Sequence, residues 1–263
     1  MRKMTRTKLI SAAWKLRHVL AAVVLAWPAL ATADNALRRA VASPSGSDTS
    51  THLASLAPPS AAPQPQKANF LGEPASKDAR RVADWVASSG DNNGLPYAII
   101  DKIQAKVFVF DRGGRLRGAS FVLLGKARGD DSVPGIGSRK LSAIRPQERT
   151  TPAGRFVADL GHDLGQDILW IDYDAAISLH RVITGNRGDH RLQRLATTST
   201  VDKRISYGCI NVPVKFYDEV VLGAFTGTSG IVYILPETKP IQDVFSLSGS
   251  ADDAIADRAG QDR

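Results

Sequence analysis

The sequence predicts a mainly β fold, a sandwich or barrel with short helices, one of which follows the single cysteine. Short apolar runs with two-residue alternation recur from Pro96 onward, Gly and Pro turns separate them, and few stretches show helical spacing. Asp174-Ala175 is the predicted turn of a hairpin. The predicted strand-bearing segments are 97–101, 105–110, 116–124, 150–158, 168–173, 176–180 and 230–235.

Residues 1–33 have the features of a secretory signal peptide. A basic segment leads into the apolar run 19–27, and Ala31-Thr32-Ala33 supplies small residues for cleavage. The apolar run is short for a membrane-spanning helix and is followed by Pro28, so an uncleaved anchor is the less favoured alternative. We therefore expect export to the periplasm or cell envelope, with membrane contact only through this segment if it stays uncleaved.

Composition divides the rest of the chain into four parts. Residues 34–76 are rich in Ala, Ser and Pro and are expected to form a disordered linker. A short helix is predicted within 77–95, capped by Ser76 and packed on the domain. Residues 96–237 form the predicted domain, and 238–263 read as a polar tail.

The positive net charge of the chain does not indicate a nucleic-acid-binding protein. The net charge is +8, but six basic residues and no acidic residue precede Asp34, which leaves +2 for the remainder. A nearly neutral domain offers no continuous surface for phosphate groups, so no nucleic-acid partner is expected.

The only cysteine, Cys209, lies in the stretch 205–213. A lone cysteine cannot form an internal disulfide, so it is either a buried apolar residue or a nucleophile. Gly208 permits a tight turn beside it, while Asn211 and Pro213 are start signals for a helix. A thiol at a helix N-terminus would be favoured as thiolate, and the same N–H groups could hold an oxyanion.

A cysteine nucleophile needs a base, usually a histidine. Outside the predicted signal and linker the histidines are His162, His180 and His190, and all of them precede Cys209. This order excludes papain-like and NlpC/P60-type peptidases, whose histidine follows the cysteine. His180 ends a predicted strand and shares one face with Ser178, which favours it as the base; His190, in a charged stretch, is the runner-up. No cluster has metal-ligand spacing, so neither a metal nor an organic cofactor is expected.

Three segments together resemble the L,D-transpeptidase (YkuD) family. They are the run Thr151 to Phe156, which is similar to Thr-Pro-x-Gly-x-Phe, the strand ending in His180, and Ser206-Tyr207-Gly208-Cys209-Ile210-Asn211. The resemblance covers about 96–237. It departs from the family at Tyr207, where the family has a second histidine. The spacer 181–205 is also longer than usual.

The resemblance implies a YkuD-like catalytic domain that acts on peptidoglycan stem peptides. Cys209 would attack the carbonyl of the L-centred residue in a tetrapeptide stem and release D-alanine, with His180 as base and acid. Gly208 and Cys209 N–H groups would form the oxyanion hole, with Ser206 as a hydrogen-bond partner in the loop. Tyr207 and Asn211 would line the site. The acyl acceptor would be a second stem peptide, a lysine of an envelope protein, or water.

Two further expectations concern the spacer and the competing functions. The spacer cations are expected to form either a cationic lid facing substrate carboxylates or a solvated loop: Arg187, Arg191, Arg194, Lys203 and Arg204. The alternatives to a transpeptidase are a non-catalytic peptidoglycan-binding module with the same fold and an L,D-carboxypeptidase using the same site. A sortase-like acyltransferase would need an arginine in the core soon after the cysteine. It is disfavoured because the only arginines that follow Cys209 are Arg258 and Arg263, in the predicted tail.

Overall fold

The computed structural model describes residues 66–163 and 165–247. The predicted signal segment, the linker up to residue 65 and the last residues of the predicted tail, 248–263, lie outside this range. Within it, no helix combines the length and the apolar character needed to cross a membrane.

The described part of the chain is built on β-strands. The strands are β1 Tyr97–Asp101, β2 Lys106–Phe110, β3 Leu116–Phe121, β4 Leu124–Gly125, β5 Gly154–Asp163, β6 Gln166–Asp172, β7 Ile177–Arg181, β8 Arg204–Ser206, β9 Ile210–Val212 and β10 Gly230–Ile234. One mixed sheet has eight strands in the order β3-β2-β1-β10-β5-β6-β7-β9, and β4 and β8 form a separate pair. The pairs β1–β10, β7–β9 and β4–β8 are parallel, and the others are antiparallel.

The sheet curls into a nearly closed, barrel-like form around a first apolar core. This core takes side chains from β1, β2, β5, β6, β7, β9 and β10, and it is covered by the helical stretch 214–225. That stretch consists of α3 (Val214–Phe216), a π-helical turn (Tyr217–Val221) and α4 (Leu222–Phe225). The predicted mainly β fold with short helices is confirmed.

A second core covers the other face of the sheet. Helix α1 (Lys77–Ser89) starts at Ser76, whose Oγ accepts from Ala79 N at 3.1 Å, and it ends at Gly90 in the left-handed conformation. The apolar face of α1 packs on side chains of β1, β2 and β10.

Chain segments on both sides of the predicted domain belong to this second core, which corrects two sequence-based boundaries. Phe70, from the expected linker, is buried against Phe108 and Phe110. Ile241 and Phe245, from the expected polar tail, are buried as well. A few large apolar side chains anchor these segments to the core. The boundaries were predicted from the average composition of the segments, which does not reveal so few side chains.

The segment after Cys209 is a strand and not the start of a helix. Val212 is fully buried, and β9 pairs with β7 in parallel register, with Asn211 beside His180. On its other side Asn211 exchanges two backbone hydrogen bonds with Leu123, at 2.8 and 2.9 Å. These pairings override the Asn and Pro start signals, so the helix begins only at Val214. Cys209 therefore does not lie at a helix N-terminus, and the predicted dipole effect on its thiol is wrong.

Four charged side chains form a buried cluster that is linked through Thr151 to the loop that carries Cys209. Lys102 Nζ donates to Asp130 Oδ1 at 2.6 Å, and Arg204 holds Glu237 through two hydrogen bonds at 2.6 and 3.1 Å. Lys102 Nζ also donates to the Thr151 carbonyl at 2.9 Å. The cluster thus ties the turn after β1, strand β8 and the chain after β10 to the segment that precedes β5.

Candidate active site

Cys209 lies in a tight loop between β8 and β9, here called the nucleophile loop (Tyr207–Cys209). Ser206 Oγ accepts from Gly208 N at 3.1 Å and donates to the Cys209 carbonyl at 2.6 Å, which closes the loop. Thr151 Oγ1 donates to the Gly208 carbonyl at 2.7 Å and accepts from Gly125 N at 2.9 Å. The conformation of the loop is therefore fixed by two hydroxyl groups that belong to separate segments.

Gly208 cannot be replaced in this loop without strain. Its φ is +137°, a region that side chains with a Cβ rarely adopt. A Cβ would also lie 2.7 Å from both the Thr150 carbonyl oxygen and Ile177 Cδ1. The glycine thus allows the nucleophile loop to pack directly against the backbone of Thr150.

The Cys209 thiol is held by two long contacts. Sγ lies 3.4 Å from the Ala176 carbonyl, to which the thiol donates, and 3.6 Å from Ser178 Oγ, which donates to it. The side chain is only partly buried, so a substrate can reach the sulfur.

His180 extends from β7 on the same face as Ser178. Its Nδ1 lies 2.7 Å from the Arg181 carbonyl, so Nδ1 is the protonated nitrogen and Nε2 is free to accept a proton. Burial, together with the nearby Arg191 charge, lowers the pKa of His180, while the hydrogen bond to Arg181 acts in the opposite sense. The lowered pKa favours the neutral form of the imidazole, which is the form that can act as a base.

Arg191 fixes the group next to the imidazole. Its Nη1 donates to Asn211 Oδ1 at 2.8 Å, and its Nε donates to Asp189 Oδ2 at 2.9 Å. The amide of Asn211 is thereby oriented with Nδ2 at 3.5 Å from His180 Nε2 and at 3.3 Å from the Cys209 carbonyl. Asn211 is therefore the direct connection between the imidazole and the nucleophile loop.

Cys209 and His180 open into one cavity of about 390 Å³, here called the cleft. The other residues that line it are Leu141, Asp163, Ile168, Trp170, Ala176, Ser178, Ile183, Arg191, Ser206, Tyr207 and Asn211. The cleft thus brings together Cys209, His180, Ser206, Tyr207 and Asn211 from the sequence-based site. His190 does not line it, and lies in an adjacent pocket.

Tyr207 connects the nucleophile loop to the long segment between β4 and β5. The Arg149 guanidinium lies over the Tyr207 ring, 3.9 Å from its centroid, and donates to the Ile144 carbonyl through Nε and Nη2. Leu141, from the same segment, reaches the cleft and is 62% exposed. The aromatic residue at this position thus supports one wall of the cleft.

Two sequence-based expectations about the site need correction. The Gly208 N–H donates to Ser206 Oγ and is not open for an oxyanion, whereas the Cys209 N–H makes no hydrogen bond within the described part of the chain. The spacer does not form a lid of five cations. Lys203 is fully buried and donates to three carbonyls at the end of α2 (Arg191–Ala196), and Arg204 belongs to the buried cluster. Arg194 donates to the carbonyls of Asp189 and Asp202.

Some residues that the structure places at the site were not predicted as site residues from the sequence. The alternation of β7 placed Ser178 beside His180 and was sufficient to suggest it. Thr151 opens the Thr-Pro motif, which carried the resemblance but no role. Arg191 was predicted only as one of the spacer cations. Its contact with Asn211 could not be predicted, because the position of Arg191 depends on how the spacer folds back on the sheet.

Within residues 66–163 and 165–247 there is no group of three or more His, Cys, Asp or Glu side chains that could hold a metal ion. The groups of the cleft that can take part in acyl transfer include the thiol of Cys209, the imidazole of His180 and the hydroxyl of Ser178.

Comparison with known proteins gives structural neighbours only. No protein-family model and no curated protein matches the chain. A crystal structure of an Enterococcus faecium L,D-transpeptidase C442S mutant is matched with a TM-score of 0.32 and 16% identity, over 54% of this chain and 50% of that chain. An L,D-transpeptidase from Xylanimonas cellulosilytica is matched with a TM-score of 0.32 and 16% identity, over 53% and 60%.

The avibactam carbamoyl enzyme of Ldtfm is matched with a TM-score of 0.33 and 15% identity, over 54% of this chain and 49% of that chain. The matched region thus spans about half to three fifths of the length of these structures. The structural neighbours are L,D-transpeptidases, but a likeness at this level defines neither a family nor an activity.

Proposed function

We propose that the protein is a cysteine acyltransferase of the L,D-transpeptidase type that acts on peptidoglycan stem peptides. The observation that carries the proposal is that Cys209 and His180 line one open cleft and are connected through Asn211. The joint motif of the sequence supplies the substrate class. Export to the periplasm or cell envelope is part of the proposal and rests on the signal-like residues 1–33.

In the first half of the reaction, Cys209 Sγ forms a bond to the substrate carbonyl carbon while its proton passes to His180 Nε2. Ser178 Oγ, 3.6 Å from the sulfur, donates to the developing thiolate. The free Cys209 N–H donates to the oxyanion. When the C–N bond breaks, the imidazolium returns the proton to the departing amine of D-alanine, and a thioester remains on Cys209.

In the second half, the acceptor loses a proton to His180 Nε2 as it attacks the thioester, and the sulfur leaves as a thiolate that recovers the proton. An amine from a second stem or from an envelope protein lysine gives a cross-link or a protein attachment. Water gives the carboxypeptidase outcome with the same groups.

The decisive experiment is intact-protein mass spectrometry after incubation with a carbapenem, a strained amide that acylates a reactive cysteine. We expect one covalent adduct on the parent protein and none on Cys209→Ala. D-alanine release from tetrapeptide muropeptides then identifies the natural donor, and the muropeptide products distinguish cross-linking from hydrolysis. Neither an adduct nor D-alanine release would contradict the proposal and favour the binding module.

The base is tested by a matched pair of histidine variants. We expect His180→Ala to abolish turnover, because Nε2 is the proton acceptor in the cleft, and His190→Ala to have a mild effect, because His190 lies outside the cleft. The reverse result would assign the base to the spacer.

A further inference from the structure

A second pocket of about 430 Å³ adjoins the cleft, and we call it the Arg187 pocket. It is lined by Thr184, Asn186, Arg187, His190, Arg191, Leu192 and Gln193. Arg191 lines both cavities, and the successive residues Ile183 and Thr184 line the cleft and the pocket respectively. A ligand that extends from Cys209 past Arg191 therefore enters this pocket.

The pocket contains one uncompensated positive charge. Arg191 is engaged by Asp189 and Asn211, and Asp189 is further held by Asn186 Nδ2 at 2.9 Å. The exposed Arg187 side chain, by contrast, makes neither a hydrogen bond nor an ion pair within residues 66–163 and 165–247. The spacer 181–205 contains six cations, and Arg181 is also engaged, because it pairs with Asp218. Among these six, Arg187 is thus the one whose charge is open to a ligand within the described part of the chain.

Apolar side chains around the two cavities are exposed as well. Leu192 is 60% exposed in the Arg187 pocket, and Leu141 and Ile183 are 62% and 41% exposed at the cleft. Exposed apolar side chains combined with a few placed polar groups are typical of ligand-binding surfaces. The cleft and the pocket therefore have the character of one groove with a cation at its outer end.

We propose that the Arg187 pocket binds a carboxylate of the donor peptide, at a position outside the amide that Cys209 attacks. This inference rests on the proposed function, because it extends the same substrate. The guanidinium of Arg187 is suited to a carboxylate, because its planar fork can bind a carboxylate through two parallel hydrogen bonds. The substrate class is thus an acidic peptide, selected by Arg187.

Calorimetry on the full chain carrying Cys209→Ala tests the proposal without turnover. Two tetrapeptide stems are compared, one with its side carboxylates free and one with these carboxylates amidated. We expect the acidic peptide to bind about three- to fivefold more tightly, the range of an exposed ion pair, and the preference to fall as salt increases.

Arg187→Gln should remove this preference, so that both peptides bind alike. The control is Arg117→Gln, an exposed arginine of β3 that lines a separate cavity and shares no residue with the groove; it should retain the preference. Equal binding of the two peptides by the Cys209→Ala chain, or an unchanged preference after Arg187→Gln, would overturn the proposal.

The outcomes of the two proposals can be separated. An adduct on Cys209 without peptide discrimination by charge would leave the proposed function intact and reject the Arg187 pocket. Discrimination that depends on Arg187, with neither a carbapenem adduct nor D-alanine release, would support the pocket and reject the transferase.

Discussion

The nucleophile loop contacts two polar regions that differ in the number and length of their hydrogen bonds. In the buried cluster, Asp130 accepts five hydrogen bonds of 2.5–2.8 Å, from Lys102, Thr238, and the backbone of Glu237, Thr238 and Lys239. In the cleft, Cys209 Sγ has contacts of 3.4 and 3.6 Å, and His180 Nε2 has one of 3.5 Å.

This difference distinguishes the buried cluster, which supports the nucleophile loop, from the cleft, which contains the reactive atoms. Short hydrogen bonds between buried groups resist any change of partner, whereas long contacts let a sulfur or an imidazole exchange its partner for a substrate. Thr151 joins the two regions, because its carbonyl accepts from Lys102 and its hydroxyl donates to Gly208. The paired cluster thus holds in place a loop whose own reactive atom is loosely bound.

The largest effect is expected from breaking the cluster at Asp130. Asp130→Asn leaves the fully buried Lys102 without its closest counter-charge, and we expect a loss of about 3–5 kcal/mol in the free energy of unfolding. The measurement is chemical denaturation. Asp131→Asn is the matched control, because the exposed Asp131 pairs with the half-exposed Lys239, and it should cost less than about 1 kcal/mol.

The contribution of Asp130 to the free energy of unfolding is also expected to depend on pH. Burial acts to raise the pKa of Asp130, but hydrogen bonds from Lys102, Thr238 and the backbone hold it well below its ordinary value. Its contribution to stability is therefore full above the unfolded pKa of about 3.8 and is lost as the pH falls from there through the lower folded pKa. Equal stability of the Asp130 and Asp131 variants at pH 7 would remove the distinction between the two regions.

Gly208→Ala tests whether the loop depends on its close approach to Thr150. The added Cβ meets backbone at 2.7 Å in a strained φ region, so we expect carbapenem acylation to slow by about 100-fold through displacement of Cys209. Gly223→Ala is the control, because a Cβ there meets nothing within 4 Å. Acylation of Gly208→Ala at the parent rate would mean that the loop geometry does not position the sulfur.

Much of the fold could be predicted because its signals are local. The short apolar runs within 97–101 and 105–110 mark β1 and β2 directly, and Ser76 with Gly90 bounds α1. Strand β9 was missed because three residues carry no period, and Asn211 and Pro213 imitate a helix start. Its state is decided by pairing with β7 and Leu123, which are distant in the sequence.

The site divides in the same way. Cys209, His180 and Ser178 follow from rarity, order and strand alternation, all of which can be read along the chain. The supporting roles of Lys102 and Arg191 cannot be predicted from the sequence, because a charged residue next to a turn or in a spacer normally faces solvent. Both are buried or partly buried only because segments far apart in sequence pack over them.

Ser178→Ala tests whether Ser178 contributes to the reactivity of Cys209 or to the stability of the fold. Removing a donor 3.6 Å from the sulfur should slow acylation by about tenfold while it changes the unfolding free energy by less than about 1 kcal/mol, because this contact is long. The pair of measurements is the acylation rate and denaturation of the same preparation. An unchanged rate, or a loss of stability as large as that of Asp130→Asn, would show that Ser178 belongs to the structural support.

Arg191→Gln is expected to have the smallest effect, a shift in pH dependence. Burial and the Arg191 charge lower the pKa of His180, so the acidic limb of the acylation rate should lie below the ordinary histidine value of about 6.5. Removing the charge raises this pKa, so the limb should move upward by less than about one pH unit. The rate should then fall below pH 6 and change little above pH 7.5.

Arg191→Lys separates charge from orientation in the same assay from pH 4.5 to 8. Lysine keeps the positive charge but cannot hold Asp189 and Asn211 through one planar fork. If charge sets the limb, Arg191→Lys stays near the parent; if the Asn211 amide sets it, both variants move together. A limb that moves downward in Arg191→Gln would contradict the expected direction and assign the low pKa of His180 to other groups in the cleft.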